Sequence, residues 1–373
     1  MIIDDSLMKK EIEDSKAIDF SKVLDKAAEC RGLTPEETAN LFQNINKENI
    51  EGVRRIAENV RRTVKGMDAS LYTCLYITNK CVNDCDYCGF KSNNKTLKRI
   101  TLTPEQIVEE VRELKKLGHS NIILIGGTLP ENHYKNLIIA ATKILVEEGL
   151  NPWIEFENLS KETLKHLNKI GANHFILFQE TYNKEEYLKL HKNSPLKRDY
   201  EARLRKMDEA IDAGFKNIGI GALFGLNHDY LFEILGLYHH TKHLQEQSVG
   251  VCISIPTLKN APGFRISNPV KESEIEKIAI TLRLALPEVS IALSGRETEN
   301  VRNCLFPIID HIGCGGRTNP GARTSYRREY ERGDKQFELY DLRTPEEIKS
   351  YLMDITIGVK SQLPWSLTCL PRK

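Results

Sequence analysis

From Leu71 onward the chain alternates short apolar runs, rich in β-branched and aromatic residues, with longer amphipathic stretches. The apolar runs predict strands over 71–78, 121–127, 152–157, 174–180, 217–225, 250–255 and 289–294, with a weaker pattern at 308–313. Runs that stay apolar residue after residue belong to strands covered on both faces, and helices between them imply parallel pairing. Thr103-Pro104-Glu105-Gln106 has the form of a capping box opening a helix that stops at Gly118, while Gly171 and Gly214 each fall just before the next strand. About six to eight such units imply an α/β fold closed into a complete or partial (β/α) TIM-type barrel. A flat doubly wound sheet is the competing arrangement, but no GxGxxG follows the first strand.

Residues 1–68 carry no strand pattern and read as an N-terminal helical extension, broken at Gly32 and around Asn46 to Asn49. Thr34-Pro-Glu-Glu37 looks like an N-cap with proline in the first turn. The expected organisation is this extension, packed on the outside or bottom of a barrel at 69–320, and a C-terminal extension at 321–373.

Composition narrows the class. The 373 residues suffice for a barrel of about 250 plus extensions. Lys plus Arg number 53 against 52 Asp plus Glu, a formal charge of +1, which gives no reason to expect nucleic acid or membrane as partner. Without a basic and then apolar leader, or an apolar run of about 18 residues, the expected location is cytoplasmic. Of nine cysteines, three cluster at 81–88, and Cys30, Cys74, Cys252, Cys304, Cys314 and Cys369 are scattered, as reduced thiols would be.

The cluster is Cys81-Val-Asn-Asp-Cys85-Asp-Tyr-Cys88, a CX3CX2C loop directly after the first strand. Three thiolates on one short loop can each hold one iron of a [4Fe-4S] cube and leave the fourth iron open to a non-protein ligand. A structural zinc site is the alternative, but it takes two close ligand pairs, and no second CxxC exists. Cys74 lies on the preceding strand, where an ordinary buried thiol is expected.

In a barrel, the C-terminal strand ends face the site. The second strand ends in Gly126-Gly127-Thr128, which lets backbone approach a ligand closely or simply makes a tight turn. The fourth ends at Glu180, a hydrogen-bond acceptor for a ligand or a cap for the next helix. Arg203 lies on the following helix, as a ligand contact or a solvated arginine. The seventh ends in Ser294-Gly-Arg296-Glu, a guanidinium at the mouth suited to clamping an amino acid carboxylate, unless it pairs with a neighbouring glutamate. In the run His239-His240-Thr-Lys-His243, residues 239 and 243 share a helix face; a solvated face is expected there rather than a metal site.

With Tyr87 just before its third cysteine, the loop resembles that of radical S-adenosyl-L-methionine (SAM) enzymes. Phe178-Gln-Glu-Thr-Tyr-Asn183, Gly219-Ile-Gly-Ala-Leu-Phe-Gly225, Ser294-Gly-Arg296-Glu, Gly316-Arg317-Thr-Asn-Pro-Gly321 and Gln336-Phe-Glu-Leu-Tyr-Asp341 resemble the radical SAM tyrosine lyases, 2-iminoacetate synthase and the [FeFe]-hydrogenase maturase, over about residues 30–345. The resemblance implies a [4Fe-4S] cluster on Cys81, Cys85 and Cys88, and SAM held by Tyr87, Gly126, Gly127, Thr128, Glu180 and Arg203. It implies an amino acid substrate at Arg296 and Ser294, cleaved between Cα and Cβ to p-cresol and dehydroglycine. A low-potential electron donor, and a cofactor-assembly protein as recipient, are the implied partners, with thiamine thiazole or metallocofactor biosynthesis as the setting.

Three departures qualify this. Where the family has an acidic residue after the second strand, this chain has Thr128, so Glu155 or Glu157 is the expected substitute. The segment Pro256-Thr-Leu-Lys-Asn-Ala-Pro262 lacks two family arginines, which leaves another amino acid such as tryptophan as the alternative substrate. The tail retains only Cys369, too few thiolates for an auxiliary cluster unless Cys314 joins it, so a noncatalytic assembly scaffold is a further alternative, and formation of CO and cyanide is not expected.

Overall fold

The computed structural model describes residues 2–324 and 335–365. Eight parallel strands form its centre: β1 (Asp68–Thr78), β2 (Asn121–Gly126), β3 (Asn151–Glu155), β4 (His174–Ile176), β5 (Asn217–Gly221), β6 (Gly250–Ser254), β7 (Ser290–Leu293) and β8 (His311–Gly313). Each pairs with the next, and β1 pairs with both β2 and β8, so the sheet closes into the complete TIM-type barrel. Helices between the strands cover the outside, as the parallel pairing requires. The Thr103 capping box forms with Gln106, and the Thr34 box with Glu37.

Most strands are shorter than their apolar runs. β4 ends at Ile176 rather than at residue 180, although Leu177 and Gln179 still donate to the carbonyls of Gly219 and Gly221. Beyond that point Glu180 takes a left-handed backbone, φ 73°, and bridges Ala222. The ends of the runs thus leave the ladder to line the mouth of the barrel.

Among the described residues four α-helices precede β1: α1 (Asp5–Asp14), α2 (Phe20–Ala28), α3 (Pro35–Asn44) and α4 (Ile50–Lys65). They pack on the outer helices Tyr230–Gln245 and Glu272–Ala285, the outside placement anticipated. Among the described residues no helix is long and apolar enough to cross a membrane.

The end of the described chain returns to the lower, N-terminal end of the barrel. A short β9 (Gly358–Lys360) pairs with the first residues of β1, and Ser290 donates from its backbone to the Trp365 carbonyl at 2.8 Å. The Trp365 ring enters the barrel and meets the rings of Trp153 and His174, with centroids 5.0 and 4.7 Å away. Gly219 makes room for it, since a Cβ there would lie 3.2 Å from the indole. Burial holds His174 and His311 neutral, with their imidazoles pushed down to about 3. Residues 358–365, within the stretch expected as an extension, thus pack directly on the lower end of the barrel.

Candidate active site

At the opposite end, one cavity collects the three clustered cysteines, the ends of β1 to β7 and a segment from beyond residue 334. The cysteine loop is held by a small apolar cluster of Cys85 and Tyr87 with Leu223 and Leu258, and by satisfaction of its backbone. Arg99 donates to the carbonyls of Asn79 and Phe90, both at 2.7 Å, and of Lys91 at 2.6 Å, while Asn94 donates to the Gly89 carbonyl. The Asp84 amide donates to Ser194 Oγ, which lies 3.5 Å from Cys85 Sγ. Burial pushes the Cys81 thiol up to about 11 and Cys85 up to about 12, and Cys88 rises for the same reason. Among the described residues no three His, Cys, Asp or Glu side chains are placed to hold one metal ion, and these cysteines are no exception.

Gly126 ends β2 and Gly127 follows it, directly across this loop. A Cβ on Gly127 would lie 2.3 Å from the Lys80 carbonyl oxygen, so glycine is needed for the two segments to cross. Both glycines and Thr128 line the cavity.

The charged side chains of the mouth form one network. Arg203, on the helix Tyr200–Asp212, is buried rather than solvated: it donates to the Phe178 carbonyl at 2.7 Å, to Glu157 and to Glu180. Glu157 also accepts from Asn83 at 3.0 Å and Thr128 at 2.6 Å. Glu180 takes a second cation, Lys197, at 2.5 Å; burial alone would raise its carboxyl, but Lys197 and Arg203 bring it down to about 2. Helix capping falls instead to Asn183. Tyr87 is buried and its hydroxyl lies 2.9 Å from His191 Nε2.

Arg296 faces the cavity from the end of β7 and stacks on Phe337, with its guanidinium carbon 3.4 Å from the ring centroid. It makes no ion pair with its neighbour, for Glu297 bonds Thr257 and Lys259. Ser294 lines the same wall. Glu155 lines the cavity too, and has no hydrogen bond or ion pair among the described residues.

Elsewhere two expectations change or fall away. His239 and His243 are not on a solvated face: they lie 2.9 Å from Glu11 and 2.8 Å from Asp208, two separate partners contributed by other helices. Cys314 is buried, with its sulfur 3.8 Å from the Tyr72 carbonyl oxygen, while Cys369 lies outside the described residues. Lys197 and the Tyr76–Gln336 pair, 2.6 Å apart, were missed as site residues. A lone lysine in a turn carries no pattern, and the Gln336 contact spans 260 positions.

Residues 75–238 match the radical SAM superfamily, and residues 254–356 the Biotin and Thiamin Synthesis associated domain. The chain is similar to 2-iminoacetate synthase of Salmonella typhimurium, 27% identical over 333 residues that cover 88% of this chain and 87% of that protein. Among solved structures it is similar to HydG, a maturase of the [FeFe]-hydrogenase, with a TM-score of 0.88, 29% identity and coverage of 97% of this chain and 81% of that one. Against HydG from Carboxydothermus hydrogenoformans the TM-score is 0.84 and the identity 31%, over 95% of this chain and 83% of the other.

Proposed function

This chain belongs to the radical SAM superfamily, and on that premise we propose that it is a lyase that cleaves the Cα–Cβ bond of L-tyrosine to p-cresol and dehydroglycine. It is an enzyme of the group that includes 2-iminoacetate synthase and HydG, and membership implies a [4Fe-4S] cluster and SAM. The residues present fit both. Three thiols on one short loop that share a cavity suit a cluster, where each sulfur bonds its own iron. Cys81, Cys85 and Cys88 would hold it.

SAM carries an ammonium and a carboxylate, and the neighbouring wall offers both signs of charge. Glu157 and Glu180 would meet the amino and ribose groups, Arg203 the carboxylate, with Tyr87, Gly126, Gly127 and Thr128 closing around the ligand. Glu157 replaces the acidic residue missing after β2, because Thr128 donates to it. When bound, the two groups supply a 5'-deoxyadenosyl radical once a low-potential donor provides one electron.

The observation that carries the substrate reading is Arg296. A half-buried guanidinium at a cavity wall costs free energy unless it is paired, and this one has no carboxylate partner among the described residues. A ligand carboxylate would supply that partner in bidentate form, with Phe337 fixing the plane of the fork and Ser294 adding a hydroxyl. Tyr72, Tyr76, Ile123 and Ile125 give an apolar wall for an aromatic side chain and keep water from it. Tryptophan is the second reading, favoured by Lys259, which is bound to Glu297 and offers no free cation after β6.

Dehydroglycine would pass to thiamine thiazole or metallocofactor assembly. Anaerobic incubation of cluster-loaded protein with SAM, reductant and each amino acid tests the proposal. Deoxyadenosine with p-cresol from tyrosine supports it; deoxyadenosine with another amino acid alone moves the assignment to that substrate. An intact cluster that never cleaves SAM would favour a scaffold.

A further inference from the structure

The chain at the end of β3 carries two carboxylates with different surroundings. Glu157 is occupied by Asn83, Thr128 and Arg203. Glu155 sits on the inner face, level with Ile125 and Tyr76 in the ladder, and faces the cavity with no partner among the described residues. In a closed ring of eight strands β3 stands opposite β7, which places Glu155 across the cavity from Arg296. A half-buried carboxyl that faces a cavity without a hydrogen bond is costly, as is such a guanidinium. Both costs fall if one ligand brings an amine to the first and a carboxylate to the second.

We propose that Glu155 binds the α-amino group of the substrate whose carboxylate Arg296 holds, and takes one proton from it, so that the substrate lies in the site as a neutral amine. This rests on the reading of the cavity as an amino acid site. The step is a proton transfer that balances with one proton lost to solvent: as the substrate ammonium arrives the Glu155 carboxyl gives up its own proton and takes one from the ammonium, leaving a neutral amine, a Glu155 carboxylic acid and one released proton, with no change of oxidation state. A neutral amine has the lone pair that stabilises a nitrogen-centred radical after loss of a hydrogen atom, and an ammonium has none.

The surroundings favour that exchange. Burial, then repulsion by Glu180, pushes the Glu155 carboxyl up to about 8, against the pull of Arg296, Arg203 and Lys197. The other titratable groups facing it, Tyr72, Cys74 and Tyr76 on β1, are themselves held neutral by burial. A carboxyl of that basicity is close to an amine, so the proton moves between them with little free-energy difference.

Linkage makes this measurable without turnover. Free Glu155 is protonated below pH 8, and so is the free amino acid; the complex keeps one of the two protons. Calorimetry of cluster-loaded protein with SAM and no reductant should therefore show L-tyrosine releasing about one proton near neutrality and binding about tenfold more tightly per pH unit, up to about pH 8. The deaminated analogue 3-(4-hydroxyphenyl)propanoate should release none. E155Q should remove the proton release and the pH slope and weaken L-tyrosine about tenfold, while leaving the analogue within about twofold. Tyrosine binding by the unmodified protein without proton release overturns the proposal, as does E155Q weakening both ligands alike. If p-cresol forms but no proton is released, only the role of Glu155 falls. If neither ligand binds and no p-cresol forms, the substrate reading falls and takes this inference with it.

Discussion

The two ends of the barrel partner their ionisable side chains in opposite ways. At the lower end Asp310 is 1% exposed and accepts from Arg61 at 3.3 Å, from Arg283 and from the Ile291 amide at 2.9 Å. Arg283 spends its remaining donors on the carbonyls of Pro287, Val289 and Ile308. At the mouth, Arg296 has one long hydrogen bond, to the Thr257 carbonyl at 3.3 Å, and Glu155 has none among the described residues. Saturated buried charges hold a structure together, whereas unsaturated ones store affinity for a ligand of matching charge. Within the mouth, the Glu157, Glu180, Arg203 and Lys197 network pairs its own charges while still lining the cavity, and the wall beyond it carries charges without a partner among the described residues.

The sharpest break should come at the cysteine loop. C85A is expected to abolish bound iron and sulfide and all SAM cleavage while the fold persists, read by iron analysis, visible absorbance and circular dichroism. Retained activity in that variant would remove the cluster assignment. Next is the lower end, where D310A should cost about 3–5 kcal/mol in denaturant unfolding, because two arginines lose their buried partner. W365A should cost about 3–5 kcal/mol by emptying the barrel floor. If either changes stability by less than about 1 kcal/mol, that end is not the structural one.

The pH dependence carries the same message. Burial would raise the Asp310 carboxyl, but Arg283 and Arg61 outweigh it and hold it below its ordinary 3.8. A depressed carboxylate stabilises the fold above its unfolded value, so this contribution is present above about pH 4 and is lost as the pH falls. D310N should flatten that part of the acid profile. The smallest stability effect belongs to the mouth: R296M should change unfolding by no more than about 1 kcal/mol, or stabilise. Its conservative counterpart R296K should instead lower product formation about tenfold or more relative to uncoupled deoxyadenosine release, since lysine cannot form the bidentate clamp. Equal loss of both products would count against the clamp.

Much of this was legible in the chain. A parallel sheet with intervening helices announces itself through apolar runs and glycine punctuation, and a CX3CX2C loop through residues that are neighbours in sequence. Strand ends were less legible, since an apolar run does not say where the ladder stops and the cavity begins, as β4 and Glu180 show. The histidines of Tyr230–Gln245 looked solvated because their carboxylates lie on α1 and on the helix Tyr200–Asp212.

Local order along the chain was thus enough for the barrel, the thiol loop and the arginine after β7, because each depends on periodicity or short spacing. Which of Glu155 and Glu157 stays unpartnered, where Lys197 points, and how Trp365 comes to fill the floor beneath Tyr72 were settled by folding alone. Those outcomes depend on contacts between positions far apart in the chain, such as Glu157 with Asn83 and Arg203, or Trp365 with Trp153, and no local pattern encodes which partner a side chain will meet.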